Sequence, residues 1–349
     1  MQHIRLTLIG FGVVGQGFVE LLANKQAYLK QRYDTWLSLV GVANARHGFV
    51  YRTDGLNLAL LQQLAREGRS LAEHPGVRHW SSMLEGLHAT ASDVLVEASP
   101  TNLRDAEPAL SHIRAAISKN MHVVTANKGP GALAARELLT LARLHGVQLR
   151  MESAVMAGTP VISTIREGLM GATITSIHGI LNGTTNYILS AMSSGRDYAE
   201  ALAAAQAQGY AETDPTADVE GYDAVAKTMI LAALAFNHPL RVEEVVRQGI
   251  TAITQEQVRD SKKSGNRIKL IASLRQTPGS EELVASVKPV ALPVLTDPLA
   301  RVDGALNAIT VQTDTLPEVT IIGPGAGRIE TAQGLLADVL ACVRLSIRR

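Results

Sequence analysis

Cysteine is nearly absent: Cys342 stands alone in 349 residues. An intrachain disulfide and a thiolate-built metal cluster are therefore excluded, and the chain suits a reducing compartment, the cytoplasm by default. An excess of one charge is absent too. The 33 Lys and Arg against 32 Asp and Glu leave a formal net charge of +1, with acids and bases interspersed. Nucleic acid and membrane surfaces, which call for a concentrated basic footprint, are not expected as partners. The longest uninterrupted apolar run, Met229 to Phe236, is far too short to span a bilayer. Glycines interrupt the apolar N-terminal stretch MQHIRLTLIGFGVVGQG, which carries no convincing cleavage pattern. Internal repeats, low-complexity tracts and Gly/Ser linkers are missing, and the ten histidines are scattered with no HxxxH pair.

What is present is a globular composition, 46% hydrophobic and 19% charged. The length predicts two domains, or one with a large insertion. Residues 4 to 9, IRLTLI, read as a buried strand; GFGVVGQG follows as a glycine turn, and FVELLANKQAYLKQR has a helical pattern. Gly10, Gly12 and Gly15 form G-x-G-x-x-G in the context it requires: a tight turn, a Cβ-free approach for a pyrophosphate, and close packing of helix on strand. A glycine-rich turn without a ligand is the weaker account. The next strand, LSLVGVANARHG, carries no acid for a ribose 2′-hydroxyl; Arg46 stands in that turn instead. A guanidinium suits a 2′-phosphate, so NADP is favoured or at least tolerated beside NAD, although a plain surface arginine explains the residue equally well. DVLVEASPTN, HVVTANKG and GVQLRMES continue as strands, with helical stretches before the last two. This predicts a Rossmann-type, doubly wound parallel sheet over 1–150, with Ser99, Thr101 and Lys128 at the carboxyl ends of its strands, where ligands sit.

After Met151 the βα rhythm stops. TITSIHGILNGTTNYILSAM reads as strand, polar loop and helix, and SVKPVALPVL, NAITVQTD and EVTIIG read as strands. An α+β domain for substrate and dimerisation is predicted over 151–321. The final helical stretch after Gly323-Pro-Gly-Ala-Gly327 returns to the nucleotide domain, so 322–349 is assigned there, with Gly323 in a second glycine turn beside the cofactor.

The densest group of acids is GYAETDPTADVEGYDAVAK, Gly209 to Lys227. No frame of it satisfies the EF-hand spacing, so a calcium loop is disfavoured. A helix starting near Asp218 as N-cap would set Asp223 and Lys227 four residues apart on one face. That pair is either a solvated surface contact or a site for proton chemistry. A carbonyl that takes hydride needs a proton donor, histidines placed for the task are lacking, and a lysine tuned by carboxylates can serve.

In GFGVVG, TANK, ESAVMAGTPVI, LNGTTNYIL, GYAETDPTADVEGYDAVAK, NAITVQTD and GPGAG the sequence resembles homoserine dehydrogenase, from about residue 4 to about residue 343. The resemblance implies NAD(P)-dependent, reversible interconversion of L-aspartate 4-semialdehyde and L-homoserine, on the way to threonine, methionine and isoleucine, by a cytoplasmic homodimer. Lys227 is then the proton donor and acceptor, with Lys128 a second lysine at the carbonyl and nicotinamide, and Asp218 beside them. Glu212, Asp223, Thr184 and Tyr210 bind the substrate or orient the lysines. The turn Gly10, Phe11, Gly12, Val13, Val14, Gly15 holds the cofactor with Arg46, Ser99, Thr101 and Gly323. Glu152, Val155, Ala157 and Thr159 match a monovalent-cation site, Na+ or K+, built largely from backbone carbonyls. The chain stops after the nucleotide-domain helix, so threonine feedback through a C-terminal domain is not expected. Two rival readings stand beside it. A phosphorylating semialdehyde dehydrogenase needs an activated cysteine, and Cys342 lies in the apolar run LLADVLACVRL; a catalytically inactive nucleotide-sensing protein of the same fold would not need Lys128, Asp218, Asp223 and Lys227.

Overall fold

The computed structural model describes residues 1–277, 279–280 and 282–346, which divide into two units: Met1–Gly158 together with the segment from Gly327, and Thr159–Ala326. The first unit runs β1 (Gln2–Ile9), α1 (Val13–Tyr33), β2 (Thr35–Asn44), β3 (Gly48–Tyr51), α2 (Leu58–Arg66), β4 (Arg78–Trp80), α3 (Met83–Ala89), β5 (Val94–Glu97), α4 (Ala109–Ser118), β6 (His122–Thr125), α5 (Lys128–Leu144), β7 (Leu149–Arg150) and α6 (Ser153–Met156). Its seven-stranded sheet has the order β4-β3-β2-β1-β5-β6-β7. β2, β1, β5, β6 and β7 are parallel. β1 lies at the centre with Leu6, Leu8 and Ile9 fully buried, as expected of a strand whose two faces are both covered.

One edge departs from the parallel expectation. The stretch ARHG reads as the tail of the second strand, but the chain reverses there and β3 and β4 return antiparallel. The cause is local. The Asn44 side-chain oxygen accepts from the backbone N–H of Arg46 (3.1 Å) and His47 (2.6 Å), closing a turn that ends on Gly48 at φ +68°. A Cβ at Gly48 would lie 2.3 Å from the Trp80 carbonyl oxygen, so the return is available to glycine alone.

The second unit runs β8 (Ile174–Ile180), α7 (Gly183–Ser193), α8 (Tyr198–Ala207), α9 (Thr216–Val219), α10 (Tyr222–Ala235), β9 (Val245–Arg247), α11 (Gln255–Lys263), β10 (Asn266–Gln276), β11 (Leu283–Pro293), β12 (Leu306–Thr313) and β13 (Val319–Pro324). Its six strands, in the order β13-β12-β8-β10-β11-β9, pair antiparallel except for the β9/β11 edge. α10 is buried without a break from Ala224 to Ala233, as its nearly continuous apolar sequence requires.

α12 (Arg328–Ser346) belongs to the first unit. Ala332, Leu335, Leu336, Val339 and Cys342 join the same hydrophobic cluster as Phe18, Leu22 and Val94. Cys342 is wholly buried there, a packing residue rather than a nucleophile. The unit boundaries fall at 158/159 and 326/327 rather than at 150/151 and 321/322. The shift has a packing cause: Ser153 Oγ donates to the Thr331 carbonyl (2.8 Å) and the Glu152 N–H to Asp338 (2.8 Å), while Gly323 and Pro324 stay in the β12/β13 ladder. Arg150 and Asp338, each almost fully buried, pair at 2.9 Å and tie β7 to α12. Among the described residues no helix is long and apolar enough to cross a membrane.

Candidate active site

In the first unit, the turn between β1 and α1 holds three glycines for three different reasons. Gly10 sits at φ +98°, and a Cβ there would meet the Ala98 carbonyl carbon at 2.2 Å; a Cβ at Gly15 would lie 2.0 Å from the Gly10 oxygen. Gly12 has nothing within 4 Å of such an atom. Gly12 is also the N-cap of α1, makes no side-chain cap bond, and is followed by a first turn without acids. Open space thus lies at the helix N-terminus, whose first-turn N–H groups and dipole carry the sign that a pyrophosphate requires. Phe11 is buried in the core, so only its backbone is available to a ligand, whereas Val13 is exposed and Val14 half-buried. Arg46 is exposed in the turn after β2.

Under the carboxyl ends of β5 and β6 lies Glu97, wholly buried. Its Oε1 accepts from the Ser99 N–H (3.1 Å) and from the Ser99 hydroxyl, and its Oε2 accepts from Thr125 Oγ1 (3.2 Å). Burial pushes its carboxyl up to about 7 against these hydrogen bonds. Asn127 completes the assembly. Its amide donates to the Ser99 and Pro100 carbonyls (3.1 and 3.2 Å), and its oxygen caps α5 at Gly129 N (3.0 Å). Lys128, half-buried, opens that helix with its N–H on Thr101 Oγ1 (3.4 Å). Ser99, Thr101 and Lys128 thus belong to one hydrogen-bonded corner.

In the second unit the predicted start of the acidic helix is corrected. Asp218 does not cap α10; it lies within the short α9, and Gly221 at φ +84° ends that turn and begins α10 without a side-chain cap. The left-handed glycine breaks the helix in two, which frees the Asp218 carboxyl to face inward. Asp223 and Lys227 are nevertheless one turn apart on α10, and they are buried rather than solvated: Lys227 Nζ lies 2.8 Å from Asp223 Oδ2, with side chains 8% and 15% exposed. The same ammonium donates to the Leu181 carbonyl over 2.6 Å.

Asn182, absent from the residues expected from sequence, holds the rest together. Its amide nitrogen donates to Asp218 Oδ1 (2.7 Å) and Asp223 Oδ2 (3.1 Å), while its oxygen caps α7 at Thr185 N (2.9 Å). An Asn before Gly-Thr-Thr at a helix start is a legible cap signal in LNGTTNYIL. Thr184 Oγ1 lies 2.9 Å from Asp218 Oδ2 and 2.6 Å from the Tyr210 carbonyl oxygen. Burial, then the neighbouring Asp223 charge, hold the Asp218 carboxyl above its ordinary range, with Asn182, Thr184 and Lys227 opposing. Tyr210 and Glu212 are exposed at the rim, and Tyr210 reaches the cluster through its backbone carbonyl.

Gly323 packs on Thr159, whose hydroxyl donates to the Pro324 carbonyl (2.9 Å). Of the residues matched to a cation site, Glu152, Val155 and Ala157 are buried in the first unit and Thr159 in the second. No cluster of three His, Cys, Asp or Glu side chains able to hold a metal occurs among the described residues. Ala157 takes φ +50°, ψ −121°, a strained backbone for a residue with a Cβ.

A glycine-turn dinucleotide unit, in one chain with a unit that buries a lysine among carboxylates, defines a nicotinamide-dependent oxidoreductase. The family model described as homoserine dehydrogenase matches residues 160–340, and the one described as homoserine dehydrogenase, NAD binding domain, matches residues 10–152. The NAD(+)-dependent homoserine dehydrogenase of Pseudomonas canavaninivorans is 40% identical over 97% of this chain and 96% of its own. The crystal structure of a homoserine dehydrogenase from Thiobacillus denitrificans is similar with a TM-score of 0.84 at 34% identity, over 100% of this chain and 75% of that one. A hyperthermophilic archaeal homoserine dehydrogenase mutant in complex with NADPH matches with a TM-score of 0.84 at 28% identity, over 99% and 98%. The chain belongs to the homoserine dehydrogenase family, enzymes that use NAD(P) to interconvert an aldehyde and an alcohol on an amino-acid frame.

Proposed function

We propose that Lys227 is the group that gives the carbonyl oxygen its proton when L-aspartate 4-semialdehyde is reduced, and takes it back when L-homoserine is oxidised. The observation that carries this is a proton count: an ammonium has three N–H donors, and Asp223 and the Leu181 carbonyl account for two. The third is available to a substrate oxygen. Asp223 orients Lys227; Asp218, Glu212, Thr184 and the Tyr210 carbonyl receive the substrate ammonium; Lys128 polarises the carbonyl. The nicotinamide supplies or accepts the hydride at the reacting carbon. Gly10 to Gly15 hold the pyrophosphate, and Ser99, Thr101 and Gly323 line the cofactor.

Arg46 grips a 2′-phosphate in this reading, so NADP is used, while NAD is accepted because nothing in the turn repels a bare ribose. The NADPH of the archaeal structure and the NAD(+) dependence of the Pseudomonas enzyme support both halves. The enzyme works in the cytoplasm as a homodimer, with the exposed apolar Val246, Val284 and Ile322 of the second sheet available to a partner copy. A monovalent cation at Glu152, Val155, Ala157 and Thr159, held largely by backbone carbonyls, braces a loop without taking part in the chemistry. The deciding experiment is Lys227→Met: turnover is expected to fall ~10²- to 10⁴-fold with fold and dinucleotide affinity kept. A variant that turns over like the parent refutes the assignment.

A further inference from the structure

The hydrogen bonds around Asp218 do not balance if every carboxyl there is ionised. Thr184 Oγ1 lies 2.6 Å from the Tyr210 carbonyl oxygen and 2.9 Å from Asp218 Oδ2. A hydroxyl has one proton, and neither a peptide carbonyl nor a carboxylate has one to offer. The shorter contact claims it. What is left is a hydroxyl lone pair facing a carboxyl oxygen at hydrogen-bond distance, which attracts only if that oxygen carries hydrogen.

The charges tell the same story. Two carboxyls, Asp218 and Asp223, converge on one amide nitrogen, that of Asn182. Lys227 is a cation acting on Asp218, and its close contact is with Asp223. α10 brings Asp223 and Lys227; the loop before α9 brings the Tyr210 carbonyl; α7 and the residue before it bring only the uncharged Thr184 and Asn182. Two carboxyls this close each hold the other's proton more firmly.

We propose that in the free enzyme Asp218 is a neutral carboxylic acid donating to Thr184 Oγ1, and that it releases this proton to solvent when the substrate ammonium binds. This rests on the reading above that the pocket takes an amino acid. The exchange balances: the carboxyl loses H+, the ammonium becomes its counter-ion, and no net charge is buried. Thr184 then turns its own proton from the Tyr210 carbonyl to Asp218 Oδ2, which leaves that carbonyl free to accept from the ammonium. Asp218 is thus a binding residue whose protonation gates the arrival of substrate. Burial, which holds this carboxyl above its ordinary range, supports the assignment.

The test is calorimetry on the full enzyme saturated with NADPH, titrated with L-homoserine so that the complex cannot react. Repeating it in buffers of different ionisation enthalpy reads the protons released. Release of up to one proton per site in weakly acidic buffer, declining towards alkaline pH, is expected for the parent, and none for Asp218→Asn. No release by the parent at any pH, or undiminished release by Asp218→Asn, overturns the proposal while leaving the enzyme's activity and the Lys227 result untouched. Should Asp218→Asn fail to fold, infrared difference spectra of the parent decide: a protonated-carboxyl band that disappears when L-homoserine binds in weakly acidic buffer is expected, and no loss of such a band overturns the proposal. If L-homoserine binds but Lys227→Met is fully active, the reading of the site has failed instead.

Discussion

Replacing Glu97 with Gln isolates the cost of an anion buried under the cofactor loop. The folded protein holds this carboxyl's proton up to about 7, against an ordinary value of 4.5. Because the folded value is raised, Glu97 favours the fold in acid, and that contribution is lost as pH rises from 4.5 to about 7. At ~1.4 kcal/mol per pH unit the loss amounts to ~3 kcal/mol. Gln removes the ionisation and keeps the contacts: its oxygen can take the two Ser99 donors and its NH₂ can donate to Thr125 Oγ1. The variant should therefore match the parent near pH 4.5 and gain ~3 kcal/mol on it above pH 7, a difference of ~6 to 12 °C in melting temperature for a unit of this size. Thermal unfolding of both proteins, followed by circular dichroism across this range without cofactor, measures it. Parallel melting profiles from acid to alkaline pH would refute the reasoning, since Glu97 would then ionise in the fold as it does in the unfolded chain.

The glycine turn yields a paired expectation. Gly12→Ala should fold within ~1 kcal/mol of the parent yet bind dinucleotide at least ~10-fold more weakly, because its Cβ enters only the space assigned to the pyrophosphate. Gly15→Ala should destabilise the fold itself by ~2 kcal/mol or more in urea, since its Cβ meets backbone at 2.0 Å. Arg46→Ala should lower the ratio of kcat/KM with NADPH to that with NADH by ~10-fold, equivalent to one charge-assisted contact, and an unchanged ratio assigns the 2′-phosphate elsewhere. Asp338→Ala should cost ~1 to 3 kcal/mol in urea unfolding, because the buried Arg150 guanidinium loses this carboxylate contact and the Glu152 N–H loses its acceptor.

Much of this architecture is legible along the chain, since its signals are local. The alternation of apolar strands and helical stretches marks the doubly wound unit, the glycine spacing marks its turn, and the four-residue step from Asp223 to Lys227 survives because α10 carries both. Other features depend on what the residues meet. The antiparallel return of β3 hides in ARHGFVY, where an asparagine-stabilised turn and a left-handed Gly48 are hard to tell from a strand end. The start of α10 is hard to read because Asp218 has the chemistry of a cap, and only the backbone shows that Gly221 takes over. Asn182 escaped because it binds two acids that are 36 and 41 residues away. The burial of Glu97, one carboxylate among many in the sequence, follows from strands packed on either side.

The helix Arg328–Ser346 has a consequence for how the protein comes to exist. Its side chains share a cluster with residues from the opening strand and helix, so the first unit is sewn shut by a segment that follows the whole second unit in sequence. On a ribosome, the second unit has all its residues available before that helix emerges, while the N-terminal sheet waits with an uncovered apolar flank. The first unit must remain unfinished until that helix arrives.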